Sequence, residues 1–453
     1  MTDTRSSARR ALIVGLGKSG LSCARHLAAR GWQLAATDSR AAPPGLAEFR
    51  ALAPGAAVAV GGFDARLLEG VQLVFASPGV ALADPLFGAA RRAGIEVAGD
   101  IELFARAADA PVIGITGTNG KSTVTTLLGV MAERAGIRVR VGGNLGTPAL
   151  DLLDAPGQSP AAATQLYVLE LSSFQLEATD SLRCVAATVL NLTSDHMDRY
   201  AGMAEYGAAK ARIFARCGTA VVNADDAATV AMTRPGQAVR SFSVQAGRKA
   251  DYRVEQRGDA MLLCCGEEPL VAMSELRITG LHNAANALAA LALGDAFGLE
   301  RAGMIAALRD FPGLPHRSQW VADVAGVRYV NDSKGTNVGA TVAAIDGLHG
   351  TLVLIAGGDG KGQDFAPLAA ACAGRVRTAV LIGRDAPRIE AALAGICELR
   401  RCETLEQAVV EAARCARPGD TVLLSPACAS LDMFRDYAQR GEMFAAAVRG
   451  LAA

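Results

Sequence analysis

Val112-Ile-Gly-Ile-Thr-Gly-Thr-Asn-Gly-Lys-Ser-Thr123, running on into Val124-Thr-Thr-Leu-Leu-Gly-Val-Met131, is the stretch on which the fold of this chain turns. It opens with a short apolar run that suits a buried strand. It closes with Val124, Leu127, Leu128 and Met131 at helical spacing, which predicts a helix over 121–135. Glycines between the two let successive backbone N–H groups face an anion, and the helix N-terminus adds partial positive charge. In such a loop, formed here by Gly117, Thr118, Asn119, Gly120, Lys121, Ser122 and Thr123, the lysine reaches β/γ-phosphates and a hydroxyl ligates Mg²⁺. The longer G-x-x-x-x-G-K-[ST] pattern would want Gly at 115, where Ile115 stands, so the loop is a shorter variant. The plainer alternative is a glycine-rich loop that only caps a helix.

Working outward, short apolar runs alternate with helix-like spacing on both sides, the pattern of parallel sheets covered by helices. Upstream, Ala11–Val14, Gln33–Thr37 and Leu73–Ala76 read as strands. Downstream come Leu166–Leu171, Ala186–Leu190 and Ala220–Asn223, then a stretch over 251–276 that alternates polar and apolar residues and reads as a small antiparallel insertion. The Phe311-Pro-Gly-Leu-Pro315 cluster breaks the chain before a further series at Val327–Val330, Thr351–Ala356, Thr378–Ile382 and Thr421–Leu424. The expected fold class is α/β with three domains, over 1–98, 99–312 and 313–453: two Rossmann-like units flanking a central P-loop unit. Two more glycine clusters follow strands. Gly15-Leu-Gly-Lys-Ser-Gly20, with Asp38 after the second strand, fits a nicotinamide cofactor or any other pyrophosphate. Gly357-Gly-Asp-Gly-Lys-Gly362 is by itself no more than a turn signal.

Composition narrows the classes. The chain has 453 residues, 51% of them hydrophobic, enough for several cores and against disorder. Lys plus Arg equals Asp plus Glu at 45 each, so no whole-chain basic field for nucleic acid exists. The ten cysteines, Cys23, Cys184, Cys217, Cys264, Cys265, Cys372, Cys397, Cys402, Cys415 and Cys428, show no zinc or redox spacing and suit reduced thiols. The polar, basic start Met1–Arg10 leads into apolar Ala11–Leu16, too short for a signal peptide core and better read as a strand. No run approaches the roughly 20 apolar residues of a membrane span. A cytoplasmic enzyme is expected.

The phosphate-loop motif Thr116-Gly-Thr-Asn-Gly-Lys-Ser-Thr123 resembles the ATP loop of the Mur ligases and their folylpolyglutamate synthase relatives. Val141-Gly-Gly-Asn-Leu-Gly146, Glu170-Leu-Ser-Ser-Phe-Gln-Leu-Glu177 and Asp195-His-Met-Asp-Arg-Tyr200 extend the resemblance. So do Gly313-Leu-Pro-His-Arg317, Asn331-Asp-Ser-Lys-Gly-Thr-Asn337 and Leu424-Ser-Pro-Ala-Cys-Ala-Ser-Leu-Asp432. Together they run in order from residue 11 to about 445. The resemblance is strongest to the branch of the family that adds D-glutamate. It implies ATP-dependent joining of D-glutamate to UDP-N-acetylmuramoyl-L-alanine through an acyl phosphate, in the building of a cell-wall precursor.

On that resemblance the first glycine loop holds a uridine diphosphate rather than a nicotinamide, with Ser19, Asp38, Ser39, Arg40, Ser77 and Gly79 as contacts. Lys18 departs from the apolar residue expected beside them. Ser122, Glu170, His196 and Lys210 are implied to hold Mg²⁺, two ions in all, with Lys210 carrying CO₂ as a carbamate. A bare ammonium would repel the cation, whereas an anionic oxygen suits it. Asn144, Ser172 and Gln175 are implied to meet the sugar-peptide, and Asn283, Asn286, Arg317 and Asp332 the nucleotide. Lys334 is implied to support the closed arrangement. Thr336, Lys361, Ser430, Leu431 and Tyr437 are implied to receive the amino acid, a cation and hydroxyls suiting a ligand with two carboxylates. Tyr437 replaces the expected Phe, and Gly335 the usual Ala. A monomer without nucleic-acid or membrane partners is expected. The rival readings are a nicotinamide-linked oxidoreductase, a P-loop kinase, a non-catalytic nucleotide-binding scaffold, and a relative that takes another amino acid. The Asp-Asn-Pro-Arg motif of the diaminopimelate enzymes does not occur in the chain.

Overall fold

The computed structural model describes residues 9–155, 159–278, 280–348 and 350–451. Most of the polar opening stretch therefore lies outside the described residues. Among the described residues three sheets form, one in each of three α/β domains. The first is wholly parallel, in the spatial order Val58–Val60, Gln33–Asp38, Arg10–Val14, Leu73–Ala76, Glu96–Ala98.

The central sheet has nine strands. Seven neighbours run parallel, in the order Tyr252–Arg257, Ala238–Ser243, Thr219–Asn223, Cys184–Val189, Val112–Thr116, Leu166–Glu170, Val139–Gly143. Beyond Tyr252–Arg257, Ala260–Cys265 and Glu268–Ala272 follow, each antiparallel to the strand before it. The expected antiparallel insertion is thus real but not separate. Phe242 pairs with Tyr252 and prolongs the parallel sheet by a meander.

Alternation along the central strands feeds two cores. Ile113, Ile115, Leu166 and Val168 face the helix Lys121–Arg134 and the helix Leu281–Phe297. Tyr167, Leu169 and Leu171 face the other way, where they share a core with Ile13, Phe75, Ile101 and Phe104 of the first unit. Phe104 meets Tyr167 edge-on at 5.1 Å. The first unit is therefore joined to the central one by apolar packing.

The third sheet runs Gln319–Val324, Val327–Asn331, Thr421–Leu424, Leu352–Gly357, Val376–Ile382, Glu398–Arg401, antiparallel only at its first edge. Leu352, Leu354 and Ala356 line one core while Val353 and Ile355 line the other. Its carboxyl-end loops meet those of the central sheet, in the crevice where open α/β sheets bind ligands. All ten cysteines are free, in accord with the thiol reading. No helix among the described residues is long and apolar enough to cross a membrane.

Candidate active site

The site starts at the fully buried strand Val112–Thr116 and the helix that follows its glycine loop. Gly120, at the helix N-cap, has φ +82, and a Cβ there would sit 2.4 Å from Asn286 Oδ1. Glycine is required by both conformation and space. Lys121 bends back over the loop, its Nζ donating to Gly117 O at 2.9 Å and Thr118 O at 2.7 Å. Burial pulls its pKa down, against the opposing charges of Glu170 and Asp195.

The neighbouring strands deliver the other polar groups. Leu166–Glu170 ends in a buried carboxylate whose Oε1 accepts from Asn144 Nδ2 at 2.7 Å. Its Oε2 is buried with no hydrogen-bond partner. Beyond Cys184–Val189 the chain places Asn191, Thr193, Asp195 and His196 beside the loop. His196 is held in a left-handed conformation (φ +56), its carbonyl accepting from Arg199 N and Tyr200 N, its ring against Phe174 at 4.9 Å. Burial lowers its pKa, although Asp195 opposes the shift. Burial raises the Asp195 carboxyl, but Lys361, His196 and Lys121 together outweigh it and leave it below the usual range.

Lys210 is 1% exposed, one turn after Tyr206 on the helix Met203–Ala211. Its Nζ donates to Gly117 O at 2.9 Å and lies 4.5 Å from the Tyr206 ring centroid. Desolvation, helped by Lys121, pushes its pKa well below that of an ordinary lysine. Burial of this kind favours the neutral form of the amine over the ammonium.

The third unit closes the site. Arg317 Nη2 donates to Ser122 Oγ at 3.0 Å, Asn337 pairs with Asn119, and Lys361 Nζ lies 3.4 Å from Asp195 Oδ1. Lys334 stands 3.7 Å over the Tyr437 ring, and burial lowers its pKa to about 8. Burial raises Asp332 to about 6, despite hydrogen bonds from Ser425 and Ser318. A cavity of about 300 Å³ lies between the units, lined by Asn119, Gly120, Asn283, Asn286, Arg317 and Lys334 among others.

Most of the anticipated phosphate and nucleotide residues therefore converge on one cleft. The uridine-diphosphate set forms a second group. Asp38 Oδ2 accepts from Leu16 N at 2.7 Å, and its carboxylate is gripped by Arg40. That grip holds its pKa down at about 2. Ser19 lies near Asp100, and Ser77 packs beneath Gly15. Ser39, Arg40 and Gly79 lie exposed at the rim.

Some side chains stand apart. Ser172 and Gln175 form a capping box, and Gln175, 2% exposed, spends its Nε2 on Asp100. Its amide lies behind the cleft wall. Leu431 is 72% exposed, Ser430 is buried, and Thr336 is half-buried. Asn191, Asp195 and Asn337 are site residues that the sequence reading misses, although each lies just beyond a strand or within one of the family motifs.

Three family descriptions match this chain. "Mur ligase MurD-like, N-terminal domain" covers residues 9–99, "Mur ligase middle domain" 115–294, and "Mur ligase, glutamate ligase domain" 316–428. The chain belongs to the Mur ligase family. This Mur ligase is 53% identical over 440 residues to the UDP-N-acetylmuramoylalanine–D-glutamate ligase of Nitrosococcus oceani, covering 97% of this chain and 96% of that one. It is 51% identical to the enzyme of the same name from Methylococcus capsulatus, covering 99% and 96%. Among solved structures its fold is similar to the UDP-N-acetylmuramate–alanine ligase of Thermotoga maritima (TM-score 0.60, 18% identity, 98% and 99% covered). The MurF ligase of the same organism, in complex with ADP, is similar too (TM-score 0.61, 15% identity, 98% and 96% covered). These two likenesses bear on the fold, and the α/β architecture of this Mur ligase is the one they share.

Proposed function

We propose that this Mur ligase joins D-glutamate to UDP-N-acetylmuramoyl-L-alanine, converting ATP to ADP and phosphate. The observation that carries the reading is the identity of about half of all positions, along nearly the whole chain, with enzymes named for that ligation. It is an ATP-dependent, amide-bond-forming ligase of peptidoglycan precursor synthesis. We place it in the cytoplasm and read it as a monomer, because one chain supplies every residue of the proposed site.

A carboxylate resists attack by an amine because it is anionic and resonance-stabilised. Transfer of the ATP γ-phosphoryl to a carboxylate oxygen gives an acyl phosphate and ADP. Attack of the D-glutamate amine on the carbonyl carbon then forms a tetrahedral intermediate, the amine gives up a proton, and phosphate leaves. Such a transfer between anions needs positioning and charge neutralisation more than a protein nucleophile. The cleft fits that requirement. Residues 117–123 would cradle the phosphates, with Lys121 on the β/γ oxygens. Asn283, Asn286, Arg317 and Asp332 would hold the rest of the nucleotide.

The side chains present suit Mg²⁺. Glu170 Oε2 is a buried carboxylate oxygen left without a partner, and Ser122 offers a hydroxyl from the phosphate loop. Bound Mg²⁺ supplies neutralisation of the phosphate charge. Glu170 supplies anionic oxygen, and a further anionic oxygen ligand would suit the cation. Lys210 would provide it. The neutral form of its amine, which burial favours, would add CO₂, releasing one proton, to give a carbamate alongside Glu170 and His196. Two ions are the proposed complement. Asn144, Ser172 and Gln175 would form the wall against the sugar-peptide, and Ser19, Asp38, Ser39, Arg40, Ser77 and Gly79 the uridine-diphosphate pocket. Thr336, Lys361, Ser430, Leu431 and Tyr437 would receive D-glutamate once Lys334 is in its closed position.

The test is phosphate release from Mg-ATP in the presence of UDP-N-acetylmuramoyl-L-alanine, with D-glutamate, L-alanine, L-lysine or diaminopimelate as the amine and bicarbonate supplied. Release that depends on D-glutamate, with a matching mass gain in the UDP-peptide, is expected. Release with a different amine would overturn the specificity. No release with any amine from folded protein would overturn the ligase reading.

A further inference from the structure

Asn119 lies at the tip of the phosphate loop and is gripped on two sides by other asparagines. Within the central unit, Asn191 Oδ1 accepts from Asn119 N at 2.8 Å, and Asn191 Nδ2 donates to Asn119 O at 3.1 Å. This exchange fixes the backbone of the loop. From the third unit Asn337 makes the matching exchange with the side chain. Asn337 Nδ2 donates to Asn119 Oδ1 at 3.0 Å, and Asn119 Nδ2 lies 3.3 Å from Asn337 Oδ1. The two residues are 218 positions apart, in different domains.

Asn337 is itself well fixed. It is 3% exposed and caps the helix Val338–Gly347, its Oδ1 accepting from Ala340 N at 2.9 Å. Its Nδ2 also lies 3.4 Å from Asp195 Oδ2, whose other oxygen faces Lys361 Nζ. An N-cap needs only an acceptor, which serine or aspartate would supply equally well. The amide donor of Asn337 is not needed for the cap, and it is spent entirely on the central unit. Asp195, in turn, is contacted from the third unit by two donors.

We propose that Asn337 is a positioning residue for the phosphate loop. It locks the Asn119 carboxamide, so this side chain of the loop takes its nucleotide-binding orientation only when the third domain is docked. The inference rests on the proposed function in taking ATP as the ligand of the loop. It goes beyond that reading in making nucleotide affinity depend on an amide of the other domain. Because binding linkages are reciprocal, nucleotide must favour docking to the same degree.

The experiment is a double-mutant cycle on the full chain, with Asn119→Ser, Asn337→Ser and the pair. The readout is affinity for a non-hydrolysable ATP analogue with Mg²⁺, measured by calorimetry. Asn337→Ser keeps an acceptor for the cap but cannot reach Asn119, and it is expected to weaken the analogue about five- to ten-fold. The double variant should be no weaker than the worse single variant. In turnover assays the KM for ATP should rise while the KM for the amino acid holds. Asn337→Asp, which keeps the cap and sets a carboxylate against Asp195, should weaken the analogue at least as much as Asn337→Ser. Unchanged analogue affinity in Asn337→Ser, or independent losses that multiply in the double variant, would overturn the proposal. So would a lowered melting temperature as the sole effect. Analogue binding needs no amine, so failure of the ligase assay and failure of this inference are separately visible.

Discussion

Two turns of this molecule, Gly15–Gly20 and Gly117–Thr123, are both strand–glycine–helix cradles, and they differ in the charges placed around them. In the first, the helix packs directly on the turn, and a Cβ at Gly20 would lie 1.9 Å from Gly15 O. Its nearest carboxylate, Asp38, is already neutralised by Arg40 and tied to Leu16 N. The second has Lys121, Arg317, Lys334 and Lys361 around it, against Glu170 and Asp195. The glycines of both permit close approach of an anion. The surrounding charge decides which cradle can stabilise a phosphoryl group in flight and which can only hold one. The same contrast weakens the nicotinamide reading, because Asp38 is committed to its own loop and to Arg40.

The largest effect that would break this comparison is at the second cradle. Lys121→Ala should lower turnover about 10³-fold, as loss of a charge-stabilising donor does. Uridine diphosphate binding, followed by calorimetry, should be unchanged, and a parallel loss there would show that the cradles are not independent. Next comes Lys210→Met, expected to cost about 10²-fold in kcat, as loss of a ligand-tuning group does. Wild-type activity should fall in CO₂-depleted buffer and return with bicarbonate, whereas the residual activity of the variant should ignore both.

At the first cradle, Asp38→Asn should raise the KM for the UDP-substrate about ten-fold, through loss of a charged hydrogen-bond partner, and leave the KM for ATP alone. The smallest effect is in pH dependence. Asp332 gains its charge as pH rises through about 6, and Lys334 loses its charge as pH rises through about 8. With both charges required, kcat/KM for ATP should be bell-shaped between those values. Lys334→Arg should carry the alkaline limb upward while the acid limb stays.

Much of this comparison was legible in the sequence, because glycine loops and apolar runs are local signals. The strands at 112–116, 166–171 and 186–190 were readable since burial on both faces makes them continuously apolar. The strands Val58–Val60, Glu96–Ala98 and Glu398–Arg401 were not. They are short and half-exposed at sheet edges, so nothing in their composition marks them. Val139–Gly143 is hidden in the sequence because its glycines suggest a turn. At the site, the motifs put Lys121, Glu170 and His196 in view, whereas the roles of Asn191 and Asn337 depend on partners 72 and 218 positions away. No local pattern reports such a pairing. Gln175 shows the converse limit: its motif was visible, but not that a capping box and Asp100 would engage its amide.

The most direct test follows oxygen rather than phosphate alone. UDP-N-acetylmuramoyl-L-alanine labelled with ¹⁸O in the alanyl carboxylate is incubated with Mg-ATP and D-glutamate, and the released phosphate is analysed by mass spectrometry. Passage through an acyl phosphate predicts that each phosphate released carries one carboxylate oxygen, in step with formation of the amide. Phosphate released without label while the amide forms would contradict phosphoryl transfer to the carboxylate, and with it the catalytic role of the second cradle.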